Sequence, residues 1–123
     1  MTKKSFEFSS ETPAGVAGGL VVFTLAGPLN GLEAAYDFQD EVRRKIAGGC
    51  RKIVLDLAEV GRVDSCGIGI LASLMWSASQ AGSRMVLAAI PSHVEKLLQI
   101  VTLLDHIDHA ASRHAAIAML LVR

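Results

Sequence analysis

The residues best able to do chemistry lie in the stretch VDSCGIGIL, at positions 63–71. Asp64 and Ser65 place an acid and a hydroxyl between the strongly apolar run KIVLDL and a segment with helical periodicity. Gly67 and Gly69 follow in the first turn of that predicted helix, where each costs about 1 kcal/mol relative to Ala. A site where another group must approach the backbone closely would explain both glycines.

Ser65 has two interpretations. A serine just before a helix usually caps it, because its hydroxyl accepts a hydrogen bond from a backbone N–H of the first turn, and Asp64 would then match the helix dipole. Alternatively, Ser65 carries a phosphate, which a helix N-terminus favours. The phosphate would add about 1.5 to 2 negative charges beside Asp64. A docked partner would then face like-charge repulsion and a desolvation cost, so the complex would end while the fold stayed intact.

A serine hydrolase is the competing catalytic interpretation. The stretch V-D-S-C-G is only half of the nucleophile elbow G-x-S-x-G, because Val63 stands where the first glycine belongs. A triad also needs a histidine backed by an acid, and 123 residues are too few for the usual hydrolase sheet and pocket. We therefore predict no catalytic residue and no enzymatic activity. The histidines of the chain are His93, His106, His109 and His114.

Cysteine and histidine spacing also argues against a metal site. The run DHIDH, at positions 105–109, matches no standard ligand spacing, and neither Cys50 nor Cys66 belongs to a CxxC pair. We predict two reduced thiols, no metal and no cofactor. A redox role for Cys66 is the minor alternative, because a helix N-terminus lowers the pKa of a thiol.

Composition limits the class of partner. The chain has 123 residues, 51% hydrophobic and 20% charged, which suits one domain spanning positions 1–123. The formal net charge of +0 leaves no basic field for nucleic acid. The longest apolar runs fall short of the roughly 20 residues that span a bilayer. We predict a cytoplasmic protein that binds no nucleic acid and does not insert into a membrane.

Alternating strand and helix patterns must position Ser65. The order predicts an α/β fold whose sheet is parallel or mixed, with a site where strand C-termini meet helix N-termini. Ser92 and Glu95 have capping-box spacing, Ser112 is the expected cap of the last helix, and Trp76 is expected to pack in the core or on its flank. Strands are predicted over 5–10, 16–27, 52–57, 85–90 and 107–110, and helices over 32–47, 67–80, 91–106 and 112–122.

The stretch from Lys52 to Leu98 resembles the signature of STAS domains of the anti-sigma-factor antagonist type. It has an apolar strand ending in D-L, a loop reaching D-S-x-G-I-G, a helix, a Gly-containing turn, an apolar strand and a helix that opens near Pro and Ser. The segment LAGPLN, residues 25–30, is similar to the family's G-x-L-D segment. The resemblance covers about residues 5–121. It implies a STAS-like mixed sheet of four to five strands, with about four helices packed mainly on one face.

The resemblance also implies a function. Single-domain bacterial members are not enzymes but substrates of a serine kinase with an ATPase fold, which is itself the anti-sigma factor. The unphosphorylated antagonist binds this kinase, phosphorylation of the motif serine ends the complex, and a serine phosphatase restores it. Carried onto this chain, the phosphorylation site is Ser65, and Asp64, Gly67 and Gly69 match the surrounding motif.

Four positions depart from the family pattern. Cys66 replaces a common second serine, Asn30 stands where many antagonists have Asp, and Thr102 stands where Gly often follows the third helix. Arg62 replaces an apolar residue and is available to pair with a phosphate on Ser65 or with an acidic partner residue. The predicted partner-binding set is Asn30, Arg62, Asp64, Ser65, Cys66, Gly67 and Gly69.

A second interpretation keeps the fold but removes the switch. STAS domains also serve as constitutive subunits of signalling scaffolds or lipid-transport complexes, and Ser65 would then be only a cap. A second copy of the chain, forming a homodimer, is a further candidate partner.

Overall fold

A computed structural model describes residues 5–13 and 19–121, so the predicted strand over 16–27 begins outside the described residues. The strands and helices follow the predicted order. They are β1 (Glu7–Glu11), β2 (Leu20–Ala26), α1 (Glu33–Ala47), β3 (Lys52–Glu59), α2 (Ser65–Gln80), β4 (Arg84–Ala88), α3 (Ser92–Ile100), a 3₁₀ turn (Leu103–His106), β5 (Asp108–Ala110) and α4 (Arg113–Leu121).

The five strands form one mixed sheet in the order β1-β2-β3-β4-β5. β1 pairs antiparallel with β2, whereas the pairs β2–β3, β3–β4 and β4–β5 are parallel. The apolar run KIVLDL is buried in the central strand, because helices cover both of its faces. Because β2 and β3 are parallel, their C-terminal ends lie next to each other at the same end of the sheet.

Three of the four helices pack on one face, which confirms the predicted arrangement. The main core lies between α1, α2 and α3 and that face, with Phe38 at its centre against Phe23. A smaller core lies on the opposite face, where α4 covers Val22, Val54 and Val86. Among the described residues, no helix is both long enough and apolar enough to cross a bilayer.

A cationic clamp fixes α4 to the sheet. The guanidinium of Arg113 donates to the carboxylates of Asp56 (3.0 Å) and Glu11 (2.6 Å) and to the hydroxyl of Thr24. Asp56 is only 8% exposed, so Arg113 is the cation that neutralises a buried acid in the central strand. One side chain thus ties α4 to three strands.

Two helix-boundary predictions in the third helix were wrong. α3 begins after Pro91, no side chain caps it, and Ser92 is its first helical residue, so the predicted capping box does not form. The helix ends at Ile100 instead of continuing to His106, because Thr102 adopts the left-handed conformation with φ of 60°. A 3₁₀ turn follows. The prediction for Ser112 is confirmed, since its hydroxyl accepts from the N–H of Ala115 at 3.0 Å.

Candidate functional site

Two loops, residues 27–32 after β2 and residues 60–64 after β3, are joined by backbone hydrogen bonds and together form what we call the platform. Leu29 and Val63 form a parallel bridge beyond the strands. The N–H of Leu29 donates to the carbonyl of Arg62 (2.9 Å), and the N–H of Asp64 donates to the carbonyl of Leu29 (3.2 Å). These bonds continue the β2–β3 pairing to the starts of α1 and α2. The two loops therefore hold each other in place at the points where the helices begin.

Asp64, and not Ser65, is the N-cap of α2, so the prediction that Ser65 caps the helix was wrong. The carboxylate of Asp64 accepts from the N–H of Gly67 at 2.9 Å, and its carbonyl accepts from Ile68 at 2.9 Å. Ser65 is the first helical residue and is exposed. Its hydroxyl makes no hydrogen bond within the described part of the chain. The helix is therefore capped without Ser65, whose hydroxyl stays available.

The two glycines of the motif have different surroundings. Gly67 is buried, and a Cβ placed on it would lie 2.3 Å from the carbonyl oxygen of Leu29 and 2.8 Å from Val63. Close approach of the chain's own platform thus explains Gly67, which lies behind the exposed surface. Gly69 is exposed, and a Cβ there would meet nothing within 4 Å. No internal contact explains Gly69.

The residues beside Ser65 come from the start of α1. A Cβ on Gly31 would lie 2.9 Å from the sulfur of Cys66, so these two positions are in close contact. Cys66 is exposed and is a free cysteine. The side chain of Asn30 accepts from the N–H of Leu32 at 3.1 Å, which orders the entry into α1. Asn30 thus lies beside the predicted site, and its side chain is used in a hydrogen bond that supports the loop.

The loop before the motif carries an unpaired cation. Arg62 is exposed, and across residues 5–13 and 19–121 its side chain has no ion pair or hydrogen bond. Gly61, the residue before Arg62, is also held: its carbonyl contacts a ring nitrogen of His93, at the start of α3. α3 therefore helps to fix this loop. Sequence reasoning missed this contact, because no local pattern connects a histidine with a carbonyl 32 residues earlier.

Six of the seven predicted partner-binding positions reach or border one surface, and Gly67 lies beneath it. Exposed apolar side chains that sequence reasoning missed lie on or beside the two helices that begin at this surface. Leu32, the residue before α1, is 67% exposed, Tyr36 on α1 is 44% exposed, and Trp76 on α2 is 65% exposed. The prediction that Trp76 packs in the core or on its flank was wrong.

The described residues offer no catalytic geometry at Ser65. None of the four histidines has a hydrogen bond to its hydroxyl, and His93 is engaged with Gly61. No group of three or more His, Cys, Asp or Glu side chains in this part of the chain could hold a metal ion. Ser65 thus presents an exposed hydroxyl at the start of a helix that Asp64 already caps.

Comparison with known proteins agrees with this geometry. The model of the STAS domain family matches residues 11–116. BtrV of Bordetella bronchiseptica, which bears the name of an anti-sigma factor antagonist, is 27% identical over 100 residues, covering 81% of this chain and 85% of BtrV.

Solved structures share the fold. An anti-sigma factor antagonist of Mycobacterium paratuberculosis superposes with a TM-score of 0.80, at 16% identity and 97% coverage of both chains. The Bacillus cell-fate determinant SpoIIAA in its phosphorylated form superposes with a TM-score of 0.65, at 22% identity, covering 93% of this chain and 99% of SpoIIAA.

Proposed function

Because the chain belongs to the STAS domain family, we propose that it is a partner-switching anti-sigma factor antagonist controlled by phosphorylation of Ser65. When unphosphorylated, it binds an anti-sigma factor that is also a serine kinase with an ATPase fold. Phosphorylation of Ser65 releases the kinase, and a serine phosphatase restores binding. The chain acts in the cytoplasm as one STAS-like domain over positions 1–123 and needs no cofactor, because the kinase holds the nucleotide.

The observation that carries the proposal is the free, exposed hydroxyl of Ser65 on a helix already capped by Asp64. A kinase can modify this hydroxyl without removing a structural hydrogen bond. The backbone N–H groups of Ser65 and Cys66 also lack an acceptor among the described residues, and such N–H groups at a helix N-terminus stabilise a phosphate. The phosphorylated chain should therefore stay folded.

Arg62 provides the second element of the switch. Its guanidinium is exposed and unpaired three residues before Ser65, and an arginine is well suited to two-point contact with phosphate. In the unphosphorylated chain the same group is free to pair with an acidic residue of the kinase. Phosphorylation would redirect Arg62 from the partner to the phosphate, and the negative charge added beside Asp64 would repel an acidic residue of the partner.

The first experiment compares tagged wild-type, Ser65→Ala and Ser65→Asp chains as baits in lysate of the source cells, with mass-spectrometric identification. Ser9→Asp is the matched control, because Ser9 is exposed on β1, the edge strand of the sheet, and lies outside α2. We expect an ATPase-fold serine kinase with wild type, Ser65→Ala and Ser9→Asp, and its loss with Ser65→Asp. The purified kinase should transfer phosphate from ATP to wild type but not to Ser65→Ala.

Equal kinase capture by wild type and Ser65→Asp would overturn the switch. If both baits capture the same scaffold or transporter subunits instead, the chain is a constitutive STAS subunit of a signalling scaffold or lipid-transport complex.

A further inference from the structure

α2 is a partly exposed helix without a single charged residue. Its sequence, SCGIGILASLMWSASQ, contains no Asp, Glu, Lys or Arg. α1, which lies beside it, carries seven charged residues. A helix face that meets only water is normally polar and charged. Depletion of charge together with enrichment of tryptophan and tyrosine is instead the composition of the buried centre of a protein–protein interface.

Ser65, Gly69 and Trp76 are exposed and lie on one line along α2. Trp76 follows Ser65 by eleven residues, which is three turns, so their side chains point in directions only about 20° apart and lie about 16 Å apart along the axis. Gly69 lies between them on the same face, with nothing within 4 Å of the position of a Cβ. The face is thus a low, uncharged strip with a hydroxyl at one end and an indole at the other.

We propose that this strip, from Ser65 through Gly69 to Trp76, is the centre of the contact with the kinase, and that Trp76 is the residue that anchors it in an apolar pocket of that partner. The inference rests on the proposed function, because it takes the partner to be the protein that phosphorylates Ser65. Gly69 is the point at which the backbone of the partner comes closest to α2.

Size and charge favour this occupant. A protein interface of ordinary size covers about 800 Å² on each partner, which is wide enough to include both Ser65 and a residue 16 Å away. Any partner that a phosphate on Ser65 displaces must cover the start of α2. The uncharged strip is the direction in which such a contact extends without desolvating a charged side chain of α2, which would be costly.

Trp76 is suited to the anchoring role. It is 65% exposed in the free chain, and tryptophan is among the residues that most often dominate binding energy when buried at the centre of an interface. It also lies at the end of the strip opposite the phosphorylation site. It would therefore contribute affinity and choice of partner, whereas Ser65 would contribute regulation.

A photocrosslinking amino acid placed separately at positions 65, 76 and 121 in the full chain, in living source cells, tests the location of the contact. Position 121 is the control, because Leu121 is a half-exposed apolar residue on α4, which covers the opposite face of the sheet. We expect the same ATPase-fold kinase crosslinked at 65 and 76 and not at 121. A crosslink at 65 alone overturns the inference and leaves the proposed function standing.

Other crosslinking outcomes are equally decisive. If position 76 crosslinks to a second copy of the chain, the strip is a self-association surface and the inference is wrong. If neither position 65 nor position 76 crosslinks to a kinase, the proposed function and the inference both fall.

Affinity for the purified kinase tests the energetic role. Trp76→Ala should weaken binding about thirty-fold or more, which corresponds to about 2 kcal/mol. Trp76→Phe should restore part of it, and Leu121→Ala should stay within about twofold of wild type. Gly69→Ala should weaken binding roughly tenfold while the melting temperature rises. Unchanged affinity in Trp76→Ala, with Ser65→Asp still defective, refutes the anchoring role alone.

Discussion

Substitution of Gly67 and of Gly69 tests the packing of α2, because both glycines lie near the start of the same helix and differ only in their surroundings. In a solvated helix, Gly→Ala increases stability by up to about 1 kcal/mol. We expect Gly69→Ala to raise the free energy of unfolding by about 0.5–1 kcal/mol, because nothing lies within 4 Å of its new Cβ. Gly67→Ala should lower it.

The size of the loss at Gly67 follows from its contacts. A new Cβ would lie 2.3 Å from the carbonyl oxygen of Leu29, so the helix and the loop must separate by about 1 Å to reach ordinary contact near 3.4 Å. That oxygen accepts from the N–H of Asp64 at 3.2 Å. Overpacking costs about 1–3 kcal/mol, and weakening this hydrogen bond adds about 1 kcal/mol. After subtracting the gain in helix propensity of about 1 kcal/mol, we expect a net loss of about 1–3 kcal/mol.

Urea denaturation followed by far-UV circular dichroism measures both variants on the same scale. The expected gap between Gly67→Ala and Gly69→Ala is roughly 3 kcal/mol, with equal slopes against urea. Thermal melts should place the two midpoints roughly 10 °C apart for a chain of this size. If Gly67→Ala is as stable as wild type, the contact between α2 and the Leu29 carbonyl does not constrain the site, and the account of the platform is wrong.

Three further changes test other features. Thr102→Gly should raise the free energy of unfolding by about 0.5–1 kcal/mol, because the left-handed conformation of Thr102 costs a side-chain-bearing residue about 1–2 kcal/mol. A lower free energy of unfolding, measured by urea denaturation, would contradict this. Asp64→Ala should lower the free energy of unfolding by about 1 kcal/mol through loss of the α2 cap, and an unchanged midpoint of urea denaturation would argue against that cap. Arg113→Met should cost roughly 2 kcal/mol, because it leaves Asp56 buried without its cation. The matched Arg84→Met removes an exposed ion pair and should cost under about 1 kcal/mol; equal losses would contradict the difference in burial.

The sequence was sufficient to predict the order of the strands and helices and the position of Ser65 at the start of α2. Period and composition carry that information, as in the buried run KIVLDL, because burial of one face of each element is a local property of its side chains. The D-S-x-G-I-G motif likewise placed Ser65 at the junction of a strand and a helix.

Other features depend on contacts between distant residues or on which of two adjacent residues wins a hydrogen bond. Asp64 and Ser65 are both good caps, and a backbone bond from the distant Leu29 holds Asp64 where its carboxylate accepts from the N–H of Gly67. The end of α3 before Thr102 could not be predicted from the local residues, because threonine rarely adopts a positive φ. Only the family pattern, which often has Gly at this position, pointed to it. The exposure of Trp76 could not be read from hydrophobicity, since an apolar residue in an apolar helix is normally buried.

Because Asp64 and not Ser65 caps α2, the proposed switch can act without disturbing the start of the helix. If the hydroxyl of Ser65 capped α2, a phosphate on it would replace the capping bond and alter the start of the helix. Here the carboxylate of Asp64 satisfies the N–H of Gly67, and backbone bonds to Leu29 hold the preceding loop. Phosphorylation would therefore change charge and bulk at one end of the uncharged strip while leaving the strip itself in place. Control of binding at Ser65 and affinity at Trp76 are then separable, so a Trp76→Ala chain should remain a substrate at high kinase concentration even though its complex is weak.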